Sequence, residues 1–318
     1  MDRNLALEMV RVTEAAALAS ARWMGQGDRR AAEKVAVEAT RHVLDSIYLN
    51  GTIVIGEGEA NGALMLLAGE KVGCGKSPEV DIAVDALEST DSVAYGRPNA
   101  LSAIAIAGKN DLMAVPDIYM EKIVVGPGAA GAIDLALPVE ENLQRVARAR
   151  GYSLADLTIA ILDRPRHSDL ISRIRKLGAR IHLIPDGDMS GALAAALPGT
   201  GIDMLIGIGG APEGVLTAAA LRCIGGEIKA RFAPANDDEI NQLKINGITE
   251  PNRIYSCKEL ARGDDIMFAA TGVTDGDLLN GVRYRAGGAA THSLVTRSAT
   301  RTRRFIVTEH YFEGKPQY

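Results

Sequence analysis

Apolar residues recur at helical spacing through the first fifty positions. Leu5, Met9, Val12, Ala16 and Ala19 form one stripe; Val35, Val37, Val43, Leu44 and Ile47 form another after Asp28, whose carboxylate suits an N-cap. Two helices are predicted, the second ended by Gly51. The period then shortens. Thr52 to Ile55 is a β-branched run breaking at Gly56-Glu57-Gly58-Glu59, where the glycines force a turn that exposes two carboxylates. Val80 to Val84 repeats the design, with Asp85, Glu88, Ser89 and Thr90 at the strand's end. Ala103 to Ala107 and Leu112 to Val115, separated by Gly-Lys-Asn-Asp, predict a β-hairpin.

From about Pro138 strands alternate with helices: Leu157–Leu162, His167–Leu177, Arg180–Ile184, Ser190–Leu197, Met204–Ile208 and Pro212–Ile224. That alternation implies βαβ units and parallel strands. Strand-like runs return at Met267–Ala270, Ser293–Thr296 and Phe305–Thr308. The pattern predicts an α/β protein with a mixed sheet in an α+β lobe (residues 1–137) and a largely parallel sheet in an α/β lobe (138–318). With no Pro/Ser-rich linker, the two lobes are expected to pack intimately.

With 318 residues, 47% of them apolar, the chain can build a sizeable core. A net charge of -5 and the lack of a Lys/Arg run argue against nucleic acid as a partner. No stretch has the ~18 apolar residues of a membrane span, and the N-terminus has no signal-peptide core. Cys74, Cys223 and Cys257 are odd in number and lie in no CxxC pairing, which suits a reducing compartment; each is read as a small buried hydrophobe. The expectation is a cytoplasmic protein with no membrane partner.

Asp85-Ala86-Leu87-Glu88-Ser89-Thr90 is the most informative segment. A hard divalent cation takes several carboxylate oxygens, and a strand end can aim Asp85 and Glu88 at one point with the Thr90 hydroxyl beside them. Taken alone, such an acidic turn at a strand end is more often a solvated loop or helix cap. Two other acidic turns follow apolar strands, Glu57 in Gly-Glu-Gly-Glu and Glu213 in Gly-Gly-Ala-Pro-Glu-Gly, and three such turns suggest one shared cluster. Glycines before a helix opening at Pro212 also leave backbone N–H groups for a phosphate or metal-facing surface, or else serve tight strand-to-helix packing.

Arg164 and Arg166 follow a strand and present fork-shaped donors suited to phosphate. Asp186 and Asp188 follow the next strand and can accept bonds from sugar hydroxyls. Each motif alone reads as surface or turn chemistry, but ligands collect at the C-terminal ends of parallel strands. The five histidines show no metal-binding spacing, and hydrolase-elbow and P-loop fingerprints are absent. Gly126 to Gly131 spells GxGxxG but precedes the βαβ alternation and reads as a glycine-rich loop.

Together Val12-Thr13-Glu14, Gly25 to Asp28, Ile53 to Glu59, Asp81 to Thr90, Tyr119 to Lys122, Asp163 to His167, Pro185 to Asp188, Gly207 to Gly214 and Ala270 to Leu279 resemble the class II fructose-1,6-bisphosphatases over nearly the whole chain. The resemblance implies the layered α/β sugar-phosphatase fold of the lithium-sensitive phosphatases. It implies Mn2+ or Mg2+ held by Glu33, Glu57, Asp85, Glu88 and Glu213. It puts the sugar phosphate against Glu88, Ser89 and Thr90, Tyr119, Arg164, Pro165 and Arg166, Asp186, Gly187 and Asp188, and Gly210. The implied reaction is water attack on the 1-phosphate of fructose 1,6-bisphosphate, as in gluconeogenesis, with Thr90 and Glu33 as catalytic residues. A dimer or tetramer is the implied assembly.

Several positions depart from the family pattern: Ala86 stands for its usual proline, Ser89 for glycine, Glu33 for aspartate, Arg29 for lysine and Asn61 for aspartate. Asn61 cannot supply the same negative charge. These departures leave open another substrate, such as sedoheptulose 1,7-bisphosphate or an inositol phosphate, or a weakly active or inactive sugar-phosphate-binding homologue.

Overall fold

A computed structural model of the chain describes residues 1–58 and 66–313. Helix α1 (Leu5–Ser20) buries the predicted stripe of Leu5, Met9, Val12 and Ala16. Asp28 caps α2 (Arg29–Ser46), accepting a hydrogen bond from Ala31 N at 2.9 Å. This helix stops at Ser46, short of Gly51. Gly51 instead lies inside β1 (Asn50–Ile55), where a side chain would strike Ile82 and Val72. The first stretch continues with β2 (Lys71–Val72), β3 (Glu79–Glu88), α3 (Thr90–Ala94) and β4 (Leu101–Gly108).

The predicted hairpin does not form. β4 pairs antiparallel with β3 along its length. The chain after it turns away, Leu112 N donating to the Asp81 carboxylate at 3.2 Å. All but the last residue of β4 is buried, so both of its edges need a partner inside the sheet.

The chain then enters a second compact unit, Met113–Arg262. It contains β5 (Tyr119–Val125), α4 (Val139–Arg150), β6 (Thr158–Leu162), α5 (Ser168–Lys176), β7 (Arg180–Ile184), α6 (Asp188–Ala196), β8 (Met204–Gly210), α7 (Ala211–Ile224), β9 (Glu227–Phe232), α8 (Asp237–Ile245), β10 (Tyr255–Ser256) and α9 (Cys257–Leu260). Its sheet has the order β10-β9-β5-β8-β6-β7. The βαβ alternation gives parallel pairing of β6 with β7 and with β8. β5 runs antiparallel between β8 and β9. A core of Leu143, Val146, Ile159, Ile161, Ile174 and Met204 joins α4 and α5 to this sheet. Each fully buried aliphatic side chain of this kind contributes roughly 1.5–3 kcal/mol.

After Arg262 the chain returns to the first unit with β11 (Met267–Gly272), β12 (Arg283–Arg285), β13 (Gly288–Arg297) and β14 (Thr302–Tyr311). β11 takes the free edge of β4, completing an eight-stranded sheet of order β12-β13-β11-β4-β3-β1-β2, with β14 on β13. Among the described residues of this sheet, only the β1–β3 pairing is parallel. The boundary expected at 137/138 therefore falls within the second compact unit, and the late strands belong with the first. Cys223 and Cys257 are buried, but Cys74 is exposed, on the loop after β2. No helix among the described residues is long and apolar enough to cross a membrane.

Candidate active site

In the first unit the acidic residues gather around an irregularity in β3. The ladder to β4 shifts between Asp85 and Glu88, as in a β-bulge, so the strand bends where both carboxylates leave it. β1 ends at Ile55, and the turn through Gly56 carries Glu57 back onto that bend. There Glu57 Oε1 accepts a hydrogen bond from the Ala86 backbone N–H. Glu57 thus sits against the residue that follows Asp85. Asp85 and Glu57 are half-buried, and Glu88 is buried.

Ser89 follows in the left-handed region (φ 69°, ψ 57°), which turns the chain into α3 with Thr90 as its first residue. A side chain is strained in that conformation, which accounts for the glycine of the family pattern. The Ser89 hydroxyl is buried and has no hydrogen-bond partner. Arg29, at the start of α2, pairs with Asp91 at 2.5 Å and donates to the Tyr95 hydroxyl at 3.2 Å. Glu33 stands one turn further along the same face of α2 as Arg29, half-buried. Glu59 and Asn61 lie outside the described residues.

In the second unit three strand ends come together. Arg164, after β6, donates to the carbonyl of Pro185 and to Asp186 Oδ1 at 3.4 Å, tying the β6 and β7 turns. Arg166 donates to the Ile208 carbonyl of β8 through Nη2 at 2.8 Å and Nε at 3.2 Å. Its guanidinium lies over the Tyr119 ring, 4.7 Å from the centroid. Tyr119 pairs in the sheet with Gly210. Pro165 opens a single turn of 3-10 helix, and Gly187 takes a positive φ of 81° before Asp188 begins α6. The Ala211 N–H at the start of α7 is not free for a ligand, because it donates to Ile118 O at 2.7 Å.

Glu213 and Asp188 form the acidic part of this unit. Their carboxylates occupy the space that side chains at Gly210 and Gly209 would need. Glu213 Oε2 is buried without a hydrogen-bond partner. Burial, then the neighbouring Asp188 charge, pushes the Glu213 carboxyl up to about 7, while Lys122 pulls it the other way. The sequence reading gave Lys122 no role. It is 2% exposed, pairs with Asp188, and donates to the Gly210 carbonyl at 2.7 Å. Its signal was a single cation, next to Glu121, in the otherwise apolar run from Met120 to Val125.

Among the described residues, no three His, Cys, Asp or Glu side chains are grouped so as to enclose a metal. The donor chemistry nonetheless fits a hard divalent cation. Every candidate ligand is a carboxylate, and the Glu213 oxygen left without a hydrogen-bond partner lies beside the Asp188 carboxylate, with Lys122 the cation acting on both.

Residues 3–310 match the family of bacterial, glpX-encoded fructose-1,6-bisphosphatases. The chain is 46% identical to a protein from Synechococcus sp. (strain JA-3-3Ab) named D-fructose 1,6-bisphosphatase class 2/sedoheptulose 1,7-bisphosphatase, over 99% of this chain and 98% of that one. It is 45% identical to the fructose-1,6-bisphosphatase class 2 of Haemophilus influenzae, over 98% of each.

Proposed function

The chain belongs to the bacterial glpX-encoded fructose-1,6-bisphosphatase family, a family of phosphoric monoester hydrolases, and we propose that it hydrolyses the 1-phosphate of fructose 1,6-bisphosphate. The match over residues 3–310 carries this reading, since it spans every segment that supplies a candidate site residue. Water adds to phosphorus, the bond to the C1 oxygen breaks, and that oxygen leaves with a proton, giving fructose 6-phosphate and inorganic phosphate.

Glu33, Glu57, Asp85, Glu88 and Glu213 would hold Mn2+ or Mg2+, which when bound neutralises phosphoryl charge and makes water more acidic. Glu57 is positioned by the Ala86 N–H, so its other oxygen can be directed away from the β3 backbone. Thr90, at the head of α3, orients the attacking water, and Glu33 takes up its proton. Arg164 and Arg166 anchor the distal phosphate; the ring of Tyr119 and the carbonyl of Ile208 hold the Arg166 guanidinium in one plane. Asp186, Asp188 and Tyr119 orient the sugar, while Ser89, Pro165, Gly187 and Gly210 shape the backbone around it.

The paired name of the Synechococcus relative makes sedoheptulose 1,7-bisphosphate the second substrate to test. Phosphate release is measured from both bisphosphates and from an inositol phosphate, with Mn2+, with Mg2+ and with EDTA. The expected result is release from fructose 1,6-bisphosphate that EDTA abolishes and either cation restores. Binding without release in every metal condition would leave a sugar-phosphate sensor and end the phosphatase reading. Sedimentation in the same buffers tests the expected dimer or tetramer, and subcellular fractionation tests the cytoplasmic location.

A further inference from the structure

His167 is buried in the second unit, and both of its ring nitrogens are committed. Nδ1 lies 2.8 Å from the carbonyl of Leu162, at the end of β6. Nε2 lies 2.8 Å from the backbone N–H of Ile208, near the end of β8. A carbonyl can only accept and a backbone N–H can only donate, so the proton is on Nδ1 and Nε2 is bare. The ring is neutral by the same reasoning, because a proton on Nε2 would point at the Ile208 N–H. Burial pushes His167 below the usual histidine range, and the Arg166 and Arg164 charges add to that, against the hydrogen bond to Leu162.

The strand opposite is shaped for this ring. Gly207, at φ 150°, has no side chain, and a Cβ there would stand 3.0 Å from His167 Nε2. Both backbone groups of Ile208 are thus engaged: its N–H by His167 and its carbonyl by Arg166. β6 and β8 hydrogen-bond directly only lower down, at Ile159–Met204 and Ala160–Leu205. At the end that carries Arg166, the imidazole replaces the missing ladder.

We propose that His167 is a positioning residue for phosphate recognition: by accepting the Ile208 N–H it fixes the carbonyl on which the Arg166 guanidinium is seated over Tyr119. It touches no reacting atom. The role rests on the reading of Arg166 as the anchor of the distal phosphate.

Asparagine and glutamine separate the two hydrogen bonds, since the asparagine amide reaches the place of Nδ1 and the glutamine amide that of Nε2. Steady-state phosphate release from fructose 1,6-bisphosphate is compared for the parent protein, His167→Gln, His167→Asn and Arg166→Ala, with melting temperatures recorded alongside. His167→Asn keeps the Leu162 bond but leaves the Ile208 N–H unmet; losing such a buried partner is expected to raise KM about tenfold with kcat nearly unchanged. His167→Gln keeps the acceptor and is expected to hold KM within about threefold of the parent.

Equal KM effects in the two variants, or a loss of kcat and melting temperature at constant KM, would make His167 merely structural. An Arg166→Ala protein with unchanged KM would overturn the phosphate anchor itself, and the positioning role with it. An Arg166→Ala effect without an Asn/Gln difference would overturn the positioning role alone. Imidazole 15N spectra of the parent protein give a readout that survives misfolded variants: protonated Nδ1 and bare Nε2 are expected at neutral pH, and the opposite tautomer or a charged ring sinks the proposal.

Discussion

Glu57 Oε1 accepts a hydrogen bond from the N–H of Ala86, at the one position of the Asp85–Thr90 turn where the family pattern has a proline, which has no such proton. A candidate metal ligand in this chain is therefore engaged by a backbone donor that the usual residue would not supply. The bond places the carboxylate and also competes for one of its oxygens.

Ala86→Pro is expected to fold, because the residue lies at the bulge of β3, where proline is tolerated. Freed of a bond worth about 1 kcal/mol, Glu57 should bind Mn2+ roughly fivefold more tightly. Titration calorimetry of the two proteins checks this. Equal or weaker binding in the variant would mean that orientation by Ala86 outweighs competition.

Ser89→Gly should stabilise the fold. The substitution relieves a left-handed residue, worth about 1 kcal/mol, and removes a buried hydroxyl that has no partner. A rise in melting temperature of about 2 °C is expected in differential scanning calorimetry. A fall would show that the hydroxyl makes contacts that offset the backbone strain.

Lys122→Met leaves the Asp188 charge buried without its counter-ion, and the usual cost of breaking such a pair is about 3–5 kcal/mol. Adding Asp188→Asn removes that uncompensated charge, so the double variant should regain most of the loss. Urea unfolding of the parent, both single variants and the double gives the coupling directly. Additive losses would mean that the ion pair is not the source of the effect.

The α4–α5 contact carries a pH dependence of defined sign. Arg173 donates to both oxygens of Glu140, at 2.8 and 2.7 Å, and this hydrogen bonding lowers the carboxyl from 4.5 to about 2. Because the folded value is depressed, the stabilisation is complete above about 4.5 and is lost as pH falls towards 2. The melting temperature of Glu140→Gln should thus lie below the parent's at pH 6, and the gap should close between pH 4.5 and 2. A constant gap would mean that packing, not charge, is what the substitution removes.

Patterns that repeat along the chain were the legible part of this protein. The Asp28 cap, the α1 stripe and the β6 to α7 alternation follow from spacing alone, because each is decided within a dozen residues. The pairing of β4 was not. Local turn chemistry after Ala107 suits a hairpin, but a strand buried on both faces takes its neighbours from β3 and β11, and β11 is remote in sequence. In the candidate site, carboxylates in glycine turns could be picked out individually. Lys122 and His167 could not, because their meaning lies in partners from other strands: Asp188 and Gly210 for one, Leu162 and Ile208 for the other.

The late arrival of β11 matters while the chain is being made. As it leaves the ribosome, β4 emerges with β3 but must wait for the entire second unit before Met267 can reach Ile106. Throughout that interval the nascent first sheet presents a largely apolar strand with a bare row of peptide groups, the kind of template that captures other chains. Synthesis halted after β4 is made but before residue 267 would release that edge, so such aborted products should be sticky rather than merely inactive.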